Sequence, residues 1–138
     1  MVVSAIECRS LAPASGPYAS GCRVSLAGAD LVFVSGQVAE SSSEVCVAKG
    51  DVKTQAEQVL TNLVTVLEAA GGRITDVVKV TVFLRNMEDR GAVAEVRKRF
   101  FGDHMTASTL VEVSKLAHPD WLLEIEAVAV VNRGSGGE

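Results

Sequence analysis

Between Asp51 and Gly71-Gly72 the apolar residues Val52, Ala56, Val59, Leu60, Leu63, Val66 and Leu67 recur at helical spacing. Such a stripe has to be buried against something, so a long amphipathic helix obliges the rest of the chain to supply a facing layer. Asp51 stands where an N-cap belongs, Gln55 falls close to the capping-box position, and the glycine pair ends the helix. The facing layer reads as a β-sheet, because the remaining apolar runs are valine-rich and short.

Val2 to Cys8 can form a first strand, and Leu11 to Ser20, rich in Pro, Ala, Gly and Ser, reads as a crossing loop. Arg23 to Ala27 alternates as a half-exposed strand, Gly28-Ala29-Asp30 turns the chain, and Leu31 to Ser35 continues as a more buried strand, giving a hairpin. Ala39 to Gly50 has no clear period and is expected to be a surface connection, with a short extended piece at Val45 to Val47. Val77 to Leu84 reads as a central strand. Val93, Val96, Phe100 and Phe101 then form the stripe of a second helix closed by Gly102, and Gly91 weakens its first turn.

Two further strands are predicted near Thr109 to Lys115 and Leu122 to Val131, joined by Ala117-His118-Pro119-Asp120. The order strand, strand, helix, strand, helix, strand, strand is α+β: a largely antiparallel mixed sheet with both helices on one face. Residues 1–131 make one domain, and 132–138 read as a flexible, glycine-rich tail. With 138 residues the chain buries roughly two-thirds of its unfolded surface, enough for one core without a metal or disulfide. Apolar residues make up 48% but aromatics only 4%, so valine, alanine and leucine must fill that core. The uncovered sheet face then points to self-association.

Several function classes recede on charge and cysteine usage. A net charge of −4 argues against a nucleic-acid partner, and the basic run Arg97-Lys98-Arg99 is flanked by Glu95 and Asp103. Cys8, Cys22 and Cys46 form no C-x-x-C pair and no zinc spacing, and their odd number argues against a closed disulfide framework. A reducing cytoplasm is the expected setting. No apolar run spans a membrane, and Met1 to Ser10 lacks the features of a signal peptide.

Several stretches together carry a family likeness: Gly16-Pro17-Tyr18, Val34 to Val38, Leu67 to Gly71, Val78 to Leu84, Phe100 to His104, Thr106 to Val113 and Leu123 to Ala129. In this order and spacing the chain resembles, over nearly its whole length, the RidA (YjgF/YER057c/UK114) family of enamine and imine deaminases. The resemblance implies the chorismate mutase-like fold, a homotrimer with clefts between subunits, a small-molecule metabolite as ligand, and no metal or organic cofactor. It implies that Glu124 orients the water that attacks an imine carbon, and that Tyr18, Ser35, Gly36 and Gln37 line the pocket.

Three positions depart from the pattern. Ser108 stands where the family carries a carboxylate-binding arginine, Leu110 where a cysteine or other small residue is common, and Glu88 where many members have an asparagine. A hydroxyl offers one neutral donor where a guanidinium offers two parallel charged ones. Arg23, Arg85, Arg90 and Lys115 are the replacement anchors suggested by sequence proximity.

Each site residue also has a structural reading. Glu124 and Glu126 share one side of a strand, with Glu112 expected on a neighbouring one, and such acids can equally form a solvated or interface face. Tyr18 can cap a loop and Gly36 can serve a bulge. His104, after a helix end, and His118, before Pro119, are expected to be structural. The expected function is a hydrolytic deaminase with altered substrate preference; the alternatives are a non-catalytic ligand-binding trimer and, less favoured, an endoribonuclease.

Overall fold

The computed structural model describes residues 2–133. The strands are β1 (Val2–Ile6), β2 (Gly21–Leu26), β3 (Ala29–Gln37), β4 (Val77–Leu84), β5 (Ala107–Glu112) and β6 (Leu123–Asn132); the helices are α1 (Val52–Ala69) and α2 (Arg90–Phe101). They form one six-stranded sheet in the order β1-β2-β3-β6-β4-β5. The predicted fold class holds. The strand expected at Val2 to Cys8 forms over Val2–Ile6 as an edge strand, so three strands rather than the two of the expected order precede α1, and among the described strands only β5 and β4 pair in parallel.

Alternation decides which side each strand buries. Val32 and Val34 of β3, Val80 and Val82 of β4, and Leu123, Ile125, Ala127 and Ala129 of β6 meet Val59, Leu60, Leu63, Val66 and Leu67 of α1 and Val93 and Val96 of α2. The side chains between them, including Phe33, Lys79, Thr81, Glu124, Glu126 and Val128, point to the opposite, open face. That face carries a concavity of about 510 Å³ whose walls include Val3, Ala5, Cys22, Phe33 and Val128.

Asp51 caps α1 by accepting from Thr54 N, and this holds its carboxyl below the usual range. Gln55 does not complete a capping box. It is fully buried, donating to the carbonyls of Ala48 and Asp120 and accepting from Leu122 N at 2.8 Å. One side chain thus ties α1 to the loop before it and to the approach to β6, because three backbone groups there lack sheet partners.

No strand forms at Val45 to Val47; that segment is held instead by Val47 N donating to Ala39 O and Trp121 Nε1 to Val45 O. The hairpin turn is Ala27-Gly28, with Gly28 at φ 78°, so Asp30 lies in β3, buried between Arg23 and Arg133. β5 starts two residues earlier than expected. β6 extends through Asn132, and Arg133 bonds back to Gly28 and Leu26. The predicted tail beyond Arg133 lies outside the described residues. No described helix is long and apolar enough to cross a membrane.

Candidate functional site

The centre of the site is a flaw in strand pairing. Val34 of β3 pairs with Ala127 of β6, but Gln37 pairs with Ile125, so three steps on one strand match two on the other. The extra residue bulges at Ser35-Gly36, bending the strand and opening its edge. Glu124 fills the space left by the missing glycine side chain: a Cβ on Gly36 would lie 2.9 Å from Glu124 Cδ.

The bulge is pinned from both sides. Ser35 Oγ donates to Ala19 O at 2.7 Å, Gln37 Nε2 donates to Ser35 O at 2.8 Å, and Ser35 N donates to Ser20 O. These bonds carry the loop bearing Tyr18 alongside β3. Tyr18 is exposed, its hydroxyl 3.3 Å from Ser15 Oγ, with its ring at the rim. Together Tyr18, Ser35, Gly36, Gln37 and Glu124 border a cavity of about 130 Å³, closed by Trp121 and by Asn62 of α1. Five of the predicted site residues are therefore brought together.

Burial raises the Glu124 pKa above the usual carboxylate value, and the nearby Glu126 charge raises it further. A second carboxylate, Glu40, lines the same cavity and is likewise raised by burial. Its backbone is fixed by the buried Asn62, whose Nδ2 donates to Val38 O at 3.1 Å and Glu40 O at 2.9 Å. Among the described residues no lysine, arginine or histidine borders this cavity. Sequence reasoning passed over Glu40 and Asn62; the run Ala39-Glu40 directly after the Ser-Gly-Gln stretch was the available signal.

Ser108, Leu110 and Glu88 lie elsewhere. Ser108 pairs with Val80 and Leu110 with Val82, so both face the helix side, whereas Glu124 pairs with Phe83 and faces the open side beyond β4. Glu88 is exposed on a 3-10 turn, Met87–Asp89, its N–H donating to Asn86 Oδ1. Glu112 is not across from Glu124. It sits on the helix side of β5, opposite Leu84, and its carboxylate accepts from Met87 N at 2.8 Å.

The replacement anchors fare no better. Arg23 is paired with Asp30 at 2.9 Å, Arg85 reaches the Pro119 carbonyl, and Arg90 and Lys115 are exposed; none borders the Glu124 cavity. The cation that does meet Ser108 is Arg97 of α2, whose Nη2 donates to Ser108 Oγ at 3.1 Å. His104 is structural, its Nε2 donating to Val77 O at 2.7 Å; His118 Nδ1 accepts from Asp120 N. Among the described residues no group of His, Cys, Asp or Glu is placed to hold a metal ion. The three cysteines are free, with burial raising the Cys8 and Cys46 thiols.

Residues 9–131 match the family model described as Endoribonuclease L-PSP. The chain belongs to the RidA/YjgF family. Among its relatives, a RutC family protein of Pyrococcus horikoshii is 40% identical over 114 residues, covering 83% of this chain and 86% of that one. The 2-iminobutanoate/2-iminopropanoate deaminase of Salmonella typhimurium is 38% identical over 123 residues, covering 86% and 91%. The crystal structure of yeast YEO7 superposes with a TM-score of 0.86 at 30% identity, over 96% of this chain and all of that one.

Proposed function

We propose that the protein hydrolyses a small enamine or imine, and that the Glu124 carboxylate over Gly36 is the group that positions the attacking water. The observation that carries this reading is the half-buried Glu124 in a bulge-made cavity, its carboxyl seated in the space that the missing side chain of Gly36 leaves. The deaminase name of the Salmonella relative supports the reaction class. An enamine first tautomerises to its imine. Water held by Glu124 adds to the imine carbon while its proton passes to the carboxylate and on to the imine nitrogen, forming a carbinolamine. Glu124 then takes the carbinolamine hydroxyl proton and delivers it to nitrogen as the C–N bond breaks, so ammonia and a carbonyl product leave. Balanced overall, one imine and one water give one carbonyl and one ammonia.

Tyr18 packs the carbon chain of the substrate at the rim, while Ser35 to Gln37 shape its floor. No cofactor takes part. Ser108, Leu110 and Glu88 cannot reach this cavity within one chain, so they enter the site only from a neighbouring copy, as in a homotrimer with clefts between subunits. That arrangement also covers the open face. The setting fits a cytoplasmic enzyme acting on reactive metabolites.

The uncharged Ser108 favours a second reading, a trimer that binds a small metabolite without turning it over. The endoribonuclease of the family description finds no support in this cavity, which lacks the cations and imidazoles that would engage a phosphodiester. The deciding experiment generates 2-aminoacrylate in situ and measures ammonia release by wild type, Glu124→Gln and Ser108→Arg. Catalysis predicts release by wild type that Glu124→Gln abolishes. Wild type silent while Ser108→Arg is active places the native substrate outside the small 2-imino acids. Silence of both, with intact fold, selects the binding reading.

A further inference from the structure

We propose that Glu40 is a specificity-determining residue of the Glu124 cavity: its carboxylate pairs with a positive charge on the substrate, and the imine taken there carries a basic nitrogen group on its chain. The imine chemistry rests on the deaminase reading above; the cation subsite is read by binding alone.

Backbone bonds, and none from its side chain, bring Glu40 to the cavity wall. Its N–H donates to Val38 O at 2.8 Å and its carbonyl accepts from the buried Asn62 at 2.9 Å. The carboxyl group is left over: among the described residues no donor engages it and no cation lies within 4.0 Å. Burial alone acts on it, raising its pKa from 4.5. A half-buried carboxylate without a partner retains a desolvation cost that an incoming cation offsets. Glu124, raised first by burial and then by Glu126, adds a second carboxyl group with no cation beside it. The two acids therefore set the sign of the potential in the cavity.

The aromatic wall points the same way. Trp121 donates its Nε1–H to Val45 O at 2.7 Å, so what it offers the cavity is carbon surface and the π electrons of its ring. Tyr18 adds a second ring at the rim. Aromatic surface attracts ammonium and guanidinium groups, and here it stands beside a carboxylate that binds the same groups. A chain ending in an anion would be repelled by both acids, and an uncharged chain would leave the Glu40 carboxylate dehydrated and unpaired.

Trp121 is the one tryptophan of the chain, so its fluorescence reports occupancy. The probes are n-butylamine, a cation at neutral pH, and 1-butanol, its uncharged counterpart. Wild type is expected to bind butylamine about tenfold more tightly than butanol, a ratio that falls to about one in Glu40→Gln and is partly kept in Glu40→Asp. Circular dichroism checks that each variant folds. A second readout is kcat/KM for imines made in situ by an L-amino-acid oxidase from L-arginine and from L-leucine. Wild type is expected to favour the arginine-derived imine, and Glu40→Gln to lose that preference. Equal binding of the two probes by wild type, or an undiminished preference for butylamine in folded Glu40→Gln, overturns the proposal. So does a preference lost in Glu124→Gln and kept in Glu40→Gln, which would give the cation to Glu124. Butylamine held through Glu40 with neither imine hydrolysed overturns the deaminase reading and leaves the subsite standing. Both imines hydrolysed with equal efficiency overturns the subsite and leaves the deaminase reading standing.

Discussion

The Glu124 carboxyl group occupies the space where Gly36 would carry a side chain, with Glu124 Cδ 2.9 Å from the position of a Cβ on that glycine. The two residues are on neighbouring strands, and the bulge between Val34 and Gln37 is what lets them meet. Gly36→Ala therefore has to displace either the carboxylate or the bulge. A misplacement of about 1 Å costs catalysis on the order of 100-fold. The expected outcome is a loss of that size in kcat for imine hydrolysis, with the far-UV circular dichroism unchanged. Activity equal to wild type would remove Glu124 from its assigned place.

In the proposed reaction Glu124 acts as a base only when ionised, and its pKa lies above the ordinary 4.5, first through burial and then through Glu126. The acid limb of kcat/KM is expected above pH 4.5 for this reason. Glu126→Gln removes the smaller cause and is expected to move the limb toward lower pH without abolishing activity. The stability effect has the opposite sense from that of a salt-bridged carboxylate. Because the folded state holds the Glu124 proton more tightly than the unfolded state, this group's contribution is full below pH 4.5 and is lost as pH rises through the folded pKa. Denaturant midpoints across that window read it, and Glu124→Gln should flatten that component.

Asn62 links the core helix to the cavity wall. Its Nδ2 donates to the carbonyls of Val38 and Glu40, and it is itself 3% exposed. Asn62→Leu leaves the Glu40 carbonyl unpaired, while Val38 O keeps its bond from Glu40 N, at a cost of about 1–3 kcal/mol. Urea unfolding measures the loss. A larger fall in kcat/KM than in stability is also expected, since the same bonds fix the backbone of Glu40 beside Glu124.

What could be read from the sequence follows from how local each interaction is. The α1 stripe and the shared side of Glu124 and Glu126 depend only on helix and strand periods, so they were legible. Gln55 was misassigned because its neighbours in sequence suggest a cap, while its actual partners include Asp120 and Leu122, 65 and 67 residues away. Glu112 was misplaced because its side depends on the register of the parallel β4-β5 pair, which no local pattern encodes. Arg97 escaped notice for a similar reason: within a basic, acid-flanked run it reads as solvated helix face, and only the packing of α2 beside β5 turns it toward Ser108.

The open sheet face makes the assembly testable. Phe33 is 43% exposed there, on a concave wall it shares with Val3, Ala5, Cys22 and Val128. An apolar surface of this kind on one side of a sheet is a docking surface in a soluble oligomer, and a charge at its centre has to be desolvated before copies can pack. If the proposed homotrimer forms through this face, Phe33→Asp shifts it to monomer in light scattering coupled to size exclusion. Because Phe33 faces away from α1 and α2, the core of the single chain is left intact and its circular dichroism should change little. Ammonia release should fall with the trimer, since under the proposed assembly Ser108, Leu110 and Glu88 enter the Glu124 cavity from another copy. A monomer with full activity would show that one chain suffices for the reaction.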